Sequence, residues 1–195
     1  HWESAATNPC SGVSPEDLVQ AMLDDNDGYN NGISHYIECR EGWDHLQDIE
    51  KMGGKIRDTE DEFKGAAFRD EKTKLMFAYD YKNRFTIRIW GTTFKPAMEK
   101  ECRRLGVKIV DRVMVTSLLT EGGKNGAKCV GATGVHTRTG EFYVFSSKAA
   151  IITMSRPARV WLFSAAYPGL CEFRPMCTIG DGHAMGWRAG EEFNM

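Results

Sequence analysis

The chain has 195 residues, is 42% hydrophobic and 27% charged, and sets 25 Lys+Arg against 27 Asp+Glu for a net charge of −2. That composition supports a packed core, one domain or most of one, and argues against wholesale disorder. It also lacks the basic footprint of a protein devoted to nucleic acid, so no nucleic-acid partner is expected. No apolar run approaches the roughly 18–20 residues of a membrane span, and no basic stretch followed by an apolar one reads as a secretory signal. The chain opens on His1 and closes on Met195 directly after an expected helix, which reads as an excerpt of a longer chain.

In chain order, Ser14-Pro15-Glu16-Asp17 starts a helix. Ser14 can cap, Pro15 suits the first helical position, and two acids meet the positive end of the dipole. Residues 24–31 break it. A second helix is expected over 32–52, where Ile33, Tyr36, Ile37, Trp43, Leu46 and Ile49 keep helical spacing and Gly53-Gly54 stops it. Residues 55–82 are mixed and polar, with short extended pieces such as 75–79. Residues 85–90 alternate as a strand. A helix follows to about Leu105, with Pro96 in or near its first turn and Gly106 at its end. Short strands are expected at 107–110 and 113–119, a turn at 122–126, and a hairpin from 128–136 and 141–145. The continuous apolar run 149–154 suits a strand buried on both faces. After a loop over 155–178, Gly180-Asp181-Gly182 leads into a helix over 183–189 closed by Gly190. There is no internal repeat or low-complexity tract.

The six cysteines, Cys10, Cys39, Cys102, Cys129, Cys171 and Cys177, form no CxxC and no zinc-type double pair, so no metal site is expected. Reduced thiols and a cytoplasmic setting are expected, because a chain this long with a real core needs no disulfide staples. Cys171 and Cys177 lie close enough to pair, to bind a metal, or to be two plain thiols.

The most specific motif is Ile179-Gly180-Asp181-Gly182-His183-Ala184-Met185-Gly186-Trp187-Arg188-Ala189-Gly190. A helix start with small residues lets backbone N–H groups approach an anion or a polar ring edge. On spacing alone it can equally be a Gly-Asp-Gly turn capping a helix. The stretch resembles the T-G-D-G-x-A-M-x-x-R-A-G of the flavoprotein subunits of fumarate reductase and succinate dehydrogenase. The resemblance implies that Asp181 and Gly182 contact FAD, Asp181 by accepting hydrogen bonds from a ribityl or ribose hydroxyl. Val113, Met114 and Val115 fall in the family's segment whose backbone faces the adenine; the alternative is an ordinary half-buried strand. Residues 153–161 resemble the family's A-T-G-G-A-G-R-V-Y. Thr153 is carried over as a cofactor contact, and Arg159, Val160 and Trp161 keep the pattern, but Ser155 and Arg156 replace paired glycines. That replacement means a different path, an Arg156 reaching toward the pyrophosphate, or FAD held less tightly.

His1-Trp2-Glu3-Ser4-Ala5-Ala6-Thr7-Asn8 resembles the A-x-G-G-x-N stretch that touches the isoalloxazine ring. By that resemblance Ser4, Ala5, Ala6, Thr7 and Asn8 are cofactor contacts, and Asn8 is a candidate for bonding flavin or a substrate carboxylate. An Asn before Pro9 also makes an ordinary turn. His1 is one residue off the register of the family's covalent histidine. Arg84-Phe85 and Gly91-Thr92-Thr93-Phe94-Lys95 resemble elements of the alpha subunit of adenylylsulfate reductase, which makes Arg84 and Arg88 candidates for an anionic substrate; a solvated strand arginine is the bland alternative. His183, in the first turn after Gly182, can approach the cofactor.

These resemblances imply an α/β fold: part of an FAD/NAD(P)-binding Rossmann-like domain with a three-stranded β-meander, without its first βαβ unit, since no G-x-G-x-x-G occurs. The expected organisation is a flavin-contact stretch over 1–13, a helical and mixed insertion over 14–105, and the meander, buried strand and Gly-Asp-Gly helix over 106–195. The family's capping domain, with its main acid catalyst, would lie past Met195. The implied function is that of an FAD-dependent oxidoreductase moving hydride through flavin N5 to or from a small anionic substrate, with an iron–sulfur electron-transfer subunit as a partner. The other readings are an adenylylsulfate reductase-like flavoprotein and a binding or subunit-interface module that has lost FAD.

Overall fold

The computed structural model describes residues 1–155 and 179–193 and divides into two compact units, one over 1–109 and one over 110–193. In the first unit β1 (Trp2–Ser4) pairs antiparallel with β2 (Thr86–Arg88), Trp2 opposite Arg88 and Ser4 opposite Thr86. Nothing local marks β1 as a strand; it exists because β2 offers an edge more than 80 residues away. The segment 75–79 joins the same ladder, with Phe77 bridged to Ile87.

Three helices follow their local signals. α1 (Pro15–Asp25) starts with a capping box, in which the Asp17 N–H donates to Ser14 Oγ at 3.1 Å. α2 (Gly32–Lys51) starts at Asn31, whose Oδ1 accepts from the Ser34 N–H at 3.2 Å. α3 (Gly91–Arg104) ends in a Schellman motif: the Val107 N–H donates to Cys102 O at 2.9 Å and the Gly106 N–H to Arg103 O at 3.1 Å, with Gly106 left-handed. That motif is why the strand expected at 107–110 does not form. Val107 has its N–H committed to closing the helix, and Val107 and Val110 stay half exposed. Pro96 sits one turn deeper into α3 than expected.

Two apolar clusters fill this unit, and the N-terminal stretch is the wall between them. Ala5 packs with Leu46, Ile56, Leu75, Phe77, Ile87 and Ile89. Its neighbour Ala6 packs with Leu18, Val19 and Cys39. The chain turns here, the Asn8 N–H donating to Ala5 O at 3.0 Å, and the turn sends two successive alanines into two cores.

The second unit is the expected antiparallel meander, β3 (Val113–Thr120), β4 (Cys129–His136) and β5 (Phe142–Ser146), in the order β3-β4-β5. A single 3-10 turn (Glu121–Gly123) stands in the β3–β4 connection. α4 (Asp181–Ala189) packs on β3. Its C-terminal end is tied to that connection: Asn125 Nδ2 donates to Arg188 O at 3.0 Å and the Gly126 N–H to Ala189 O at 2.8 Å.

The strand expected at 149–154 is not formed. Ile151 is 90% exposed, and no strand pairs with the run among the described residues. A strand buried on both faces needs neighbours on both edges before its backbone groups are satisfied. Arg156, Arg159, Trp161, Cys171 and Cys177 lie outside the described residues.

Candidate functional site

The sequence-expected contacts fall in two places. In the second unit, Gly180 takes a left-handed conformation at φ 88° and opens α4 with no side-chain cap. The first-turn N–H groups of Asp181, Gly182 and His183 have no acceptor within the helix. The Asp181 side chain is exposed and has no hydrogen-bond partner among the described residues. A Cβ at Gly182 would stand 2.9 Å from Ile152 Cγ2 and 3.1 Å from Met154 Cε, so the glycine lets the start of α4 lie close to residues 152–154 without displacing those side chains. Between them is a cavity of about 350 Å³ lined by Thr153, Ser155, Gly182 and His183 among others. Its lip is aromatic: the His183 ring stacks on Phe193 at 5.4 Å. The free first-turn amides and the exposed Asp181 carboxylate, with Thr153 and Ser155 in the neighbouring cavity that Glu191 also lines, form a donor and acceptor set that fits the hydroxyl parts of a dinucleotide.

Ser155 has φ 62°, a left-handed conformation that only glycine adopts freely. It stands where the family pattern has its first glycine, so the backbone conformation is kept although the side chain differs. The left-handed penalty of about 1–2 kcal/mol exceeds the roughly 0.5–1 kcal/mol of extra chain entropy that a glycine loses on folding. Ser155→Gly is therefore expected to stabilise the protein by roughly 0.5 kcal/mol, read as a higher denaturant midpoint at unchanged slope.

Val113, Met114 and Val115 lie on β3, an edge strand whose outer side has no partner strand among the described residues. Their free backbone groups suit main-chain recognition. Met114 is 59% exposed.

In the first unit Ser4, Ala5, Ala6, Thr7 and Asn8 form one continuous wall. Ser4 and Ala5 press their backbone on α2 at Gly42, where a Cβ would overlap the Ser4 carbonyl oxygen and stand 3.3 Å from Ala5 Cα. Thr7 Oγ1 donates to Arg40 O at 2.9 Å. Asn8 is buried and its amide is fully committed. Nδ2 donates to Ala5 O at 2.7 Å and Arg84 O at 2.8 Å, and Oδ1 accepts from the Cys10 N–H at 2.8 Å. Asn8 thus makes the turn its place before Pro9 allows, and holds the stretch in shape. Glu3, beside it, has its carboxyl pushed above the usual range by burial, with Glu38 adding to the effect.

The two arginines differ. Arg84 pairs with Asp70 at 3.1 Å and lies over the Phe77 ring. Arg88 is exposed and without an ion pair among the described residues, its guanidinium carbon 4.6 Å from the centre of the Trp90 ring. It lines a cleft of about 380 Å³ with His1, Trp2, Phe68, Phe77, Ala78, Tyr79 and Tyr81. Sequence reasoning found Arg88 but not this cleft, because its aromatics come from three separate segments. It also missed Gly42, a helix-interior glycine and so a hint of close backbone approach.

No curated protein matches the chain by sequence. Among solved structures, the fold is similar to adenosine-5-phosphosulfate reductase in complex with sulfite as a covalent adduct, at 20% identity and TM-score 0.65, covering 96% of this chain and 28% of that one. It is also similar to Mycobacterium smegmatis Sdh1 in complex with UQ1, at 17% identity and TM-score 0.67, covering 96% and 30%. A third, adenylylsulfate reductase from the hyperthermophilic Archaeoglobus fulgidus, gives 21% identity and TM-score 0.62 over 96% and 28%. The chain therefore spans under a third of the length of these structures. The family model for the FAD binding domain matches residues 6–195. By that match the chain belongs to the FAD binding domain family of FAD-dependent oxidoreductases, and its cofactor is FAD.

Proposed function

We propose that the protein supplies the FAD cradle of an oxidoreductase acting on a small anionic substrate. When bound, FAD supplies hydride transfer through N5 of the flavin. The chain's own residues bind and orient. Asp181 accepts hydrogen bonds from a cofactor hydroxyl, and the first-turn amides of α4 face its polar or anionic part. Thr153 and Gly182 line the cavity beside the start of α4. Backbone groups of Val113, Met114 and Val115 meet the adenine. Ser4 and Thr7, the open members of the N-terminal stretch, meet the isoalloxazine, while Ala5 and Ala6, packed in the two cores, and Asn8 hold that stretch in place. Arg88 receives the substrate's negative charge through its N–H edge. On the family resemblance, an iron–sulfur electron-transfer subunit is the proposed partner. A cytoplasmic setting is supported by the unbridged thiols of Cys10, Cys39, Cys102 and Cys129. Among the described residues no helix is long and apolar enough to cross a membrane.

The observation that carries this reading is the exposed Asp181 carboxylate, unpartnered among the described residues, at the glycine-flanked start of α4. A hydrogen bond to a charged group contributes about 1.5–3 kcal/mol. Asp181→Ala is therefore expected to weaken FAD binding roughly 10- to 150-fold. Titration of the apoprotein with FAD, followed by flavin absorbance, measures it. Unchanged affinity would overturn the placement of the cofactor on this carboxylate.

A further inference from the structure

The geometry points to a monocarboxylate bearing an aromatic ring as the ligand of the cleft beside Arg88, a conclusion that rests on the proposed role of Arg88 as anion receptor and narrows it. The cleft's volume of about 380 Å³ lies at the small end of small-molecule sites. Its walls are unusually aromatic. Trp2 and Tyr79 meet edge to face at 5.1 Å and 89°, and Phe68 and Tyr81 lie tilted at 6.4 Å. Trp2 is 55% exposed, Tyr79 76% and Tyr81 51%. Beyond these contacts with one another, the rings leave apolar surface open to solvent. An aromatic guest covers such surface with offset or edge-on contacts that an aliphatic chain cannot match.

Charge narrows the class further. Among the described residues Arg88 is the one Lys or Arg in the lining, which His1 also joins. Its guanidinium carbon stands 4.6 Å from the centre of the Trp90 ring, which anchors the group beside the cleft. A planar fork of that kind takes one carboxylate in two parallel hydrogen bonds. A dicarboxylate needs a second cation, and the neighbouring arginine is engaged elsewhere: Arg84 is bound to Asp70 at 3.1 Å and lies over Phe77. The cleft therefore matches one negative charge at one end and a flat apolar body at the other.

Calorimetric titration of the FAD-loaded protein with 3-phenylpropanoate, 3-phenylpropanamide and succinate separates the possibilities. The expected result is 3-phenylpropanoate binding at least tenfold tighter than either of the others. Arg88→Gln should abolish its advantage over the amide. Tyr79→Ala should weaken the aryl acid about fivefold and leave succinate unchanged. Both side chains are exposed, so neither variant threatens folding. Succinate binding as tightly as the aryl acid would overturn the aromatic class while leaving Arg88 as an anion receptor. Equal binding of the amide and the acid would overturn the role of Arg88 itself. No heat with any of the three would overturn the cleft as a binding site, and flavin reoxidation by anionic acceptors in the same preparation would still report on the wider oxidoreductase reading.

Discussion

Arg69→Ala is expected to destabilise the first unit by about 3–5 kcal/mol. The Arg69 side chain is completely buried, and its partners surround it. Nε faces Asp58 Oδ2 at 3.2 Å, Nη2 donates to Asp61 Oδ1 at 2.5 Å, and Nη1 donates to Glu71 Oε2 at 2.9 Å. Asp58, equally buried, accepts the N–H groups of Glu62 and Phe63 at 3.0 Å each. One guanidinium thus organises the polar segment 58–71, which has no helix or strand to do so. Removing it leaves the Asp58 charge buried and uncompensated, which is the expensive outcome. Replacing both partners together, as Asp58→Leu with Arg69→Met, should cost less than Arg69→Ala alone. Urea unfolding of the three proteins measures this; a loss under 1 kcal/mol for Arg69→Ala would show the cluster to be dispensable.

The same cluster has a pH signature. The hydrogen bond from Arg69, with Lys74 next, holds the Asp61 carboxyl below its usual range. A depressed folded-state value means this contribution is fully present above the ordinary aspartate value of about 4. It is then lost as acid takes the pH below that value. Arg69→Ala should therefore flatten the acid limb of the stability profile.

Gly42→Val is expected to destabilise by about 3 kcal/mol, and Gly42→Ala by about 1–2 kcal/mol. Two effects compete. A glycine inside a helix normally gives up about 1 kcal/mol relative to alanine, so adding a methyl should help α2. Here the methyl would overlap the Ser4 carbonyl oxygen and lie 3.1 Å from the Ser4 carbonyl carbon. The obstacle is backbone held in the β1–β2 ladder, which cannot swing aside as a side-chain tip can. Overpacking wins. Displacing Ser4 and Ala5 also moves the wall proposed to face the isoalloxazine, so FAD affinity should fall with stability. Thermal melts and flavin titration of the same variants test both; a more stable Gly42→Ala would mean that β1 yields easily.

Local chemistry made much of this protein legible in advance. The capping box at Ser14 and Asp17, the stop at Gly53-Gly54 and the period-two runs of the meander each carry their whole signal within a few residues. The Asp181-Gly182 helix start was visible for the same reason, and the alternative of a turn at Asn8 before Pro9 was on view beside the flavin reading. Other features depend on partners distant in sequence. Apolarity alone suggested a strand at 149–154, but a strand also needs an edge to pair with, and the described residues provide none. Val107 looked extended until the end of α3 took its N–H.

By itself the amino-acid sequence determined the three helices of the first unit, the hairpins of the meander and the glycine-flanked start of α4, because caps, turns and periodicity act over a single turn or strand. Only the tertiary structure decided that Ser4–Asn8 is a wall between two cores, that Arg69 is buried among three carboxylates, and that Arg84 is engaged while Arg88 opens onto an aromatic cleft. Burial, ion pairing and cleft shape arise when segments tens of residues apart exclude water together, and no short window of sequence contains both sides of such a contact.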